Sequence, residues 1–167
     1  MAETLEIAER DISGMAAVMS RNGIGADAIG LAIGLDLPDG PAASGNGEEL
    51  AIGTGPGTWL IVSEGAGCRF AENLQDSLRG LASVSDQSSG YAVFRLSGSG
   101  ARTILQRGAA IDLHPSSFGP GSAAVTVIAH IGLLIWQVNE QPAFDVAVFR
   151  SFSRSFRDWL DEAARAL

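Results

Sequence analysis

The clearest hydrophobic pattern in the chain lies at its C-terminal end and predicts an amphipathic helix. Apolar side chains recur there at helical spacing and form one stripe, namely Phe149, Phe152, Phe156, Trp159, Leu160, Ala163 and Leu167. The other face carries arginine–acid pairs four positions apart, at Arg154–Asp158, Arg157–Asp161 and Asp161–Arg165. We therefore expect this helix to dock on a core through its aromatic rings.

Apolar runs bounded by turn residues predict strands in both halves of the chain. In the first half, Leu50–Thr54 and Thr58–Ser63 are expected to pair across a glycine-rich turn. The second half contains four further runs, at Tyr91–Leu96, Val125–Ile131, Gly132–Val138 and Ala143–Phe149. The break between the middle two is expected at Gly132.

Helical spacing and turn chemistry fill the remaining segments. Helices are expected as one or two short pieces within Ile12–Leu37, broken near Gly23 and Gly25, and at Cys68–Leu81 and Ala101–Arg107. Residues 38–47 are rich in Pro, Gly, Ser and Asn and predict an exposed loop. The pattern indicates an α+β class, with an antiparallel or mixed sheet, flanking helices and a single domain over residues 1–167.

The charges are uneven along the chain, and arginine supplies all the positive ones. The 167 residues include 11 basic and 19 acidic ones, a net charge of −8, and no lysine. The acidic excess lies before Gly65 and is expected to form a solvated surface. Because the sequence has no lysine, lysine-dependent chemistry is excluded. The net negative charge disfavours nucleic acid and anionic membranes as partners. With no apolar run of membrane-spanning length and an acidic N-terminus, we expect a cytoplasmic location.

Two glycine clusters have some resemblance to phosphate-binding loops. Gly53, Gly55 and Gly57 precede a predicted strand, whereas such a loop needs a helix after it, so a tight turn is favoured. Gly98 and Gly100 do precede a predicted helix, and Arg102 could help to hold a carboxylate or phosphate there. The simpler alternative is a turn at Gly98 followed by a Ser99 helix cap, and it is favoured.

The histidines and the cysteine give weak signals for chemistry. His114 has the partners of a catalytic triad nearby, at Asp112, Ser116 and Ser117, but neighbours in sequence do not have triad geometry. His130 is expected to end an apolar strand. Cys68 is expected at a helix start, where a thiolate would be stabilised, but no partner histidine is implied. Metal-ligand spacing is absent from the sequence.

Adjacent carboxylates occur twice, at Glu48–Glu49 and Asp161–Glu162. Paired carboxylates can serve as general acid and base, but neighbours on a loop or helix surface are more simply solvated charges. From the residues alone, we therefore assign no catalytic, cofactor-binding or metal-binding residue.

From about Ser83 onward the sequence resembles the gamma subunit of heterotetrameric sarcosine oxidase. The resemblance is carried by SDQSSGYAVFRLSGSGARTILQRGAAIDLHPSSFGPGSAAVT (Ser85–Thr126) and FDVAVFRSFSRSFRDWL (Phe144–Leu160). Upstream, Gly55–Leu60 fits the Gly-Pro-x-x-Trp-Leu element of that family. The resemblance implies a fold related to the folate-binding domain of the glycine-cleavage T-protein, an aminomethyltransferase.

The resemblance implies a non-catalytic structural subunit. In that family the alpha subunit holds NAD and a folate-binding domain, beta holds FAD and covalent FMN, and delta holds zinc. The complex oxidises sarcosine to glycine and passes the one-carbon unit to tetrahydrofolate, with oxygen as electron acceptor. The T-protein places an essential aspartate where His130–Trp136 is apolar here, so its catalytic residues match no position in this chain.

Two functions remain open at this point. A structural subunit needs a contact surface, for which the candidates are Trp59, Phe118, Trp136, Arg150, Arg154 and Arg157. Aromatic residues such as these three are more often simply core residues, and the favoured interpretation of the arginines is that acids on their own helix neutralise them. The alternative function is a stand-alone folate-binding or aminomethyltransferase-like protein, since folate could bind without the catalytic aspartate.

Overall fold

The computed structural model describes residues 3–167, within which ten strands and four helices form. The strands are β1 (Glu6–Arg10), β2 (Gly14–Ser20), β3 (Ala43–Gly45), β4 (Glu49–Gly55), β5 (Thr58–Ser63), β6 (Ala82–Asp86), β7 (Tyr91–Ser97), β8 (Ala123–Ile128), β9 (Ile131–Asn139) and β10 (Ala143–Phe149). The helices are α1 (Ala26–Ile33), α2 (Phe70–Ser77), α3 (Gly100–Gly108) and α4 (Ser153–Ala164), with a 3-10 turn at Arg150–Phe152 before α4. The α+β class is confirmed. No helix in this part of the chain combines the length and apolar character needed to cross a membrane.

The strands form two antiparallel sheets, and each sheet belongs to its own compact unit. The split unit consists of the chain up to Arg10 together with Gly90–Leu167, and the inserted unit is Asp11–Ser89. The sheet of the split unit has the strand order β1-β7-β10-β9-β8, and that of the inserted unit β3-β4-β5-β2-β6. Whether residues 1–167 behave as one domain stays a prediction.

The core of the split unit lies where α3 and α4 cover one face of its sheet. Phe156 and Leu160 of α4 are fully buried, and the Phe156 ring meets Phe94 of β7 edge to face at 5.5 Å. The predicted amphipathic helix is confirmed. Phe149 and Phe152, however, are 52% and 46% exposed, because they precede the first turn of α4 and so lie off its buried stripe.

The core of the inserted unit gathers alternate side chains of β2, β4 and β5 beneath α1 and α2. Its buried members are Ala16, Val18, Ile29, Leu35, Leu37, Ala51, Trp59, Ile61, Phe70, Leu74, Leu78 and Ala82. The predicted strand pair is confirmed as β4 and β5, and the helix predicted at Cys68–Leu81 is confirmed as the shorter α2. The predicted loop at 38–47 contains no buried residue but includes the short strand β3.

Besides β3, three strands differ from what the pattern predicts. The first part of Ile12–Leu37 forms β2 rather than a helix, because β2 lies between β5 and β6 and pairs with both. In the sequence, the segment of β1 stands out only as an acidic terminus, and no pattern predicts β6. These two are edge strands with mostly exposed side chains, so their pairing partners decide the structure rather than any apolar pattern.

The turn between β8 and β9 lies two residues earlier than predicted. Ile128 pairs with Ile131, so Ala129 and His130 form a two-residue hairpin turn and Gly132 is within β9. Both turn residues have positive φ, 49° at Ala129 and 65° at His130. Such a turn is usually made by Asn and Gly, which explains why its sequence did not indicate it. His130 is therefore an exposed turn residue and not the end of a strand.

Candidate functional site

The glycines at 53, 55 and 57 form a tight connection between two strands, as predicted. Strand β4 ends at Gly55 and β5 begins at Thr58. Gly57 has a φ of +64°, and a Cβ there would lie 2.5 Å from the hydroxyl of Ser20. The position thus requires glycine for backbone geometry and close packing.

The chain itself occupies the backbone groups at the start of α3. The N–H of Gly100 donates to the carbonyl of Thr4 at 2.9 Å, and the N–H of Thr4 donates to Ser99 Oγ at 3.0 Å. The predicted turn at Gly98 is confirmed by its φ of +99°. The predicted Ser99 cap is wrong, because no hydrogen bond joins that side chain to the first turn of α3 and the hydroxyl faces Thr4 instead.

Arg102 contacts protein groups through its guanidinium. It donates to the carbonyls of Leu113 and, at 3.1 Å, Phe118, and to Gln137 Oε1 at 2.8 Å. Its guanidinium carbon lies 4.9 Å above the centre of the Phe144 ring. Burial lowers the pKa of Arg102 from its ordinary value. These contacts anchor the loop before β8 to α3 and the sheet, which favours a structural role over the anion site.

The residues around His114 form a local loop network and not a triad. Asp112 Oδ1 accepts the backbone N–H of His114 at 2.8 Å, while His114 Nδ1 contacts Ser116 Oγ at 2.8 Å. Asp112 therefore does not orient the imidazole, and His114 is exposed. Hydrogen bonds from the His114 backbone and the Ser117 hydroxyl hold the pKa of Asp112 below its ordinary value. Cys68 is also exposed, just before α2.

A buried carboxylate in the sheet of the split unit contacts arginines on two other strands. The sequence pattern does not predict this ion-pair cluster. Asp145 on β10 is 3% exposed and accepts two hydrogen bonds from Arg95 on β7, at 2.7 and 2.6 Å. Arg10 on β1 approaches the same carboxylate at 3.4 Å. The signal that could have indicated it is a single acid inside the apolar run of β10. Its arrangement ties three strands together.

The Glu48–Glu49 pair is only half solvated, unlike the prediction. Glu48 is exposed, but Glu49 is partly buried at one end of β4 and lines a cleft of about 570 Å³ within the inserted unit. Burial, and then the charge of Glu48, raise the pKa of Glu49 above its ordinary value. In residues 3–167 no group of three or more His, Cys, Asp or Glu side chains is arranged to hold a metal ion.

The three aromatic residues suggested for an interface are interior side chains. Trp59, Phe118 and Trp136 are 4%, 5% and 2% exposed. Trp59 also donates its indole N–H to the carbonyl of Pro38 at 2.8 Å. Burial in the chain itself accounts for all three, so an interface formed by this chain would need other residues at its surface.

The three arginines lie at the start of α4 or just before it and differ in their contacts. Arg150 donates to the carbonyl of Tyr91, and Arg157 pairs with Asp161 at 3.0 Å. Arg154 is exposed, and in the described part of the chain its side chain has no ion pair or hydrogen bond, so the predicted pair with Asp158 does not form. The predicted Asp161–Arg165 pair is replaced by Arg165–Glu162 at 2.8 Å.

Exposed aromatic rings adjoin these arginines in the sequence and complete a surface that we call the aromatic–arginine patch. The Phe149 ring stacks on Tyr91 at 4.9 Å, and Phe152 follows in the 3-10 turn. The patch thus consists of Tyr91, Phe149, Arg150, Phe152 and Arg154. Exposed large apolar side chains close together in the sequence, as Phe149 and Phe152 are, are a feature of protein–protein contact surfaces.

The fold places the chain in a class of proteins with this architecture. It resembles the glycine cleavage system aminomethyltransferase T from Bartonella henselae with a TM-score of 0.66 and 15% identity, over 92% of this chain and 45% of that one. It resembles a chain of the heterotetrameric sarcosine oxidase from Corynebacterium sp. U-96 more strongly, with a TM-score of 0.86 and 26% identity, over 95% of this chain and 83% of that one.

Sequence comparison then gives the family. Two relatives named sarcosine oxidase subunit gamma match, from Corynebacterium sp. strain U-96 and an Arthrobacter species. The first is 30% identical over 95% of this chain and 77% of its own, and the second 34% identical over 81% and 67%. The model of the sarcosine oxidase, gamma subunit family matches residues 19–166. The chain belongs to the sarcosine oxidase, gamma subunit family.

Proposed function

We propose that this chain is the gamma subunit of a heterotetrameric sarcosine oxidase, and that it acts as a structural subunit. The observation that carries the proposal is the joint match of sequence and fold. The family model covers residues 19–166. Over 95% of this chain, the fold matches a chain of the Corynebacterium heterotetramer. Arg102 is the residue that the sequence suggests for holding an anion. Its hydrogen bonds to other residues of the split unit support a structural role for it instead.

The partners in this proposal are the alpha, beta and delta subunits. Alpha holds NAD and a folate-binding domain, beta holds FAD and covalent FMN, and delta holds zinc. The assembled cytoplasmic complex oxidises sarcosine to glycine, transfers the one-carbon unit to tetrahydrofolate and reduces oxygen. The gamma subunit contributes surface and rigidity, while the redox chemistry takes place in its partners.

The aromatic–arginine patch is the proposed contact surface for a partner subunit. It combines exposed apolar area, from Phe149 and Phe152, with the unpaired guanidinium of Arg154. Aromatic residues and arginine are enriched in protein interfaces, where they provide much of the binding energy. The opposing surface is therefore expected to be apolar with at least one carboxylate.

Co-purification tests the proposal directly. The tagged chain, produced together with the alpha, beta and delta chains of its host, should be recovered as a yellow complex whose flavin is bleached by sarcosine without oxygen. Recovery of the tagged chain alone and colourless would refute the subunit assignment. Calorimetry with a reduced folate would then test the alternative function.

A charge reversal tests the patch. Arg154→Glu should slow association of the complex several-fold, with less dependence on salt, because charges at an interface act mainly on the association rate. Arg165→Glu is the matched control, since Arg165 directly follows the same helix and already pairs with Glu162 at 2.8 Å. Equal association rates for both variants would exclude the patch as the contact surface.

A further inference from the structure

One row of side chains in the inserted unit ends in a cleft. Glu49 of β4 and Gly14 of β2 both pair with Ser63 of β5, so these three positions face the same side of the sheet. That side is covered by α2, and a Cβ on Gly14 would lie 2.8 Å from Cδ1 of Phe70. The missing side chain of Gly14 thus lets the Phe70 ring approach the sheet beside Glu49 and Ser63.

The cleft has room for a side chain and is lined by acidic, polar and apolar groups. Its volume is about 570 Å³, and it is open to solvent. The lining residues are Gly47, Glu48, Glu49, Ser63, Glu64, Gly65, Ala66 and Phe70. We call it the Glu49 cleft. A wall of this composition suits an organic cation, which can meet carboxylates on one side and a ring on the other.

The negative charges of Glu48 and Glu49 are not balanced by an ion pair in the described residues. In the described residues, the carboxylates of Glu48 and Glu49 have no ion pair and no hydrogen bond. The unit contains ten acidic residues and three arginines, and two of those arginines pair with acids on α2 at 2.8 Å. The raised pKa of Glu49 has the same origin, since its charge is partly desolvated and lies near that of Glu48.

A second polar group faces the cleft. Ser63 is 7% exposed and lines the cleft, and no hydrogen-bond partner for its hydroxyl is found among residues 3–167. No fully buried side-chain oxygen or nitrogen in the described residues lacks a partner, so this hydroxyl is reached from the cleft and is not sealed in the core. The hydroxyl is therefore available to a group that enters the cleft.

We propose that the Glu49 cleft receives an arginine side chain of a partner subunit. A guanidinium offers five N–H donors in a planar fork, which matches the carboxylate of Glu49 together with the hydroxyl of Ser63. A metal ion is a poorer match, because this part of the chain has no three-ligand cluster. The inference rests on the proposed function, since the arginine comes from a subunit of the same complex, and charge complementarity supports it.

Association of the full chain with its partner subunits tests the inference. Glu49→Gln should weaken assembly more than tenfold, and reduce its salt dependence, because it removes the acceptor of a partly buried ion pair. Ser63→Ala should weaken it several-fold. Glu72→Gln is the control, since it removes the same charge from an exposed position that already pairs with Arg69. Thermal unfolding should show that Glu49→Gln is at least as stable as the wild type, because it removes an unpaired, partly buried charge.

The outcomes separate the inference from the proposed function. If the wild-type chain assembles and both Glu49→Gln and Ser63→Ala assemble equally well, the inference is refuted and the subunit assignment stands. If the wild-type chain does not assemble, both are refuted. If ethylammonium binds the isolated chain in a Glu49-dependent way while assembly is unaffected, the cleft takes a free cation and the partner arginine is excluded.

Discussion

Replacing Asp145 by Asn should destabilise the chain strongly, because it leaves two arginines facing a neutral side chain. Asp145 is 3% exposed, and its two oxygens accept from Arg95 at 2.7 and 2.6 Å, with Arg10 at 3.4 Å. Removing one partner of a buried ion pair lowers the free energy of unfolding by about 3–5 kcal/mol. The arginine side chains are 32% and 16% exposed and can regain some hydration, so we expect about 3 kcal/mol, the lower end of that range.

Urea unfolding followed by tryptophan fluorescence measures this loss, since Trp136 and Trp159 both belong to the split unit. Asp161→Asn is the control, because its pair with Arg157 is exposed and should be worth less than about 1 kcal/mol. The double variant Asp145→Leu, Arg95→Met should lose less than Asp145→Asn, since it removes the positive charge of Arg95 together with the carboxylate. A loss from Asp145→Asn no larger than that of the control would refute the reasoning.

Three further predictions concern stability. Arg102→Met should lower the free energy of unfolding by about 2–3 kcal/mol and speed amide exchange in the loop at 113–118, because it leaves three acceptors without their donor. Unchanged exchange would contradict the role of Arg102 in anchoring that loop. His130→Gly should gain roughly 1 kcal/mol in urea unfolding, because it relieves a φ of 65°, whereas a loss would show that the turn is not strained. The raised pKa of Glu49 means that the folded chain binds this proton more tightly than the unfolded chain. Proton binding by Glu49 therefore contributes stability that is fully present below the ordinary pKa of Glu and is lost as the pH rises through the raised pKa. The stability gained by Glu49→Gln over wild type should accordingly grow from pH 4 to pH 7, and a constant difference would contradict this.

The elements that the sequence predicts well are those whose own residues determine their structure. The α4 stripe places Phe156 and Leu160 in the core through helical spacing alone, and Gly57 between β4 and β5 defines their turn locally. The α+β class follows from such elements. The aromatic core and the exposed Arg154 on α4 could also be anticipated from that spacing.

The elements that the sequence does not predict depend on distant partners. Strand β2 consists largely of Ala, Met and Gly, which have no strong preference for a strand, and it is specified by pairing with β5 and β6. The Glu49 cleft likewise depends on Gly14, Ser63 and Phe70, which lie far apart in sequence and meet only through strand register and the docking of α2. No local signal identifies such a combination.

The position of the inserted unit has a consequence for synthesis of the chain on the ribosome. Strand β1 emerges before its partner in the sheet, β7, which begins at Tyr91, after the whole of Asp11–Ser89. At ordinary elongation rates β1 remains an unpaired edge for a time on the order of ten seconds, while the inserted unit can already fold. Glu6 and Glu9 place negative charge on β1 during that interval, and charged residues on an edge strand disfavour pairing with other chains.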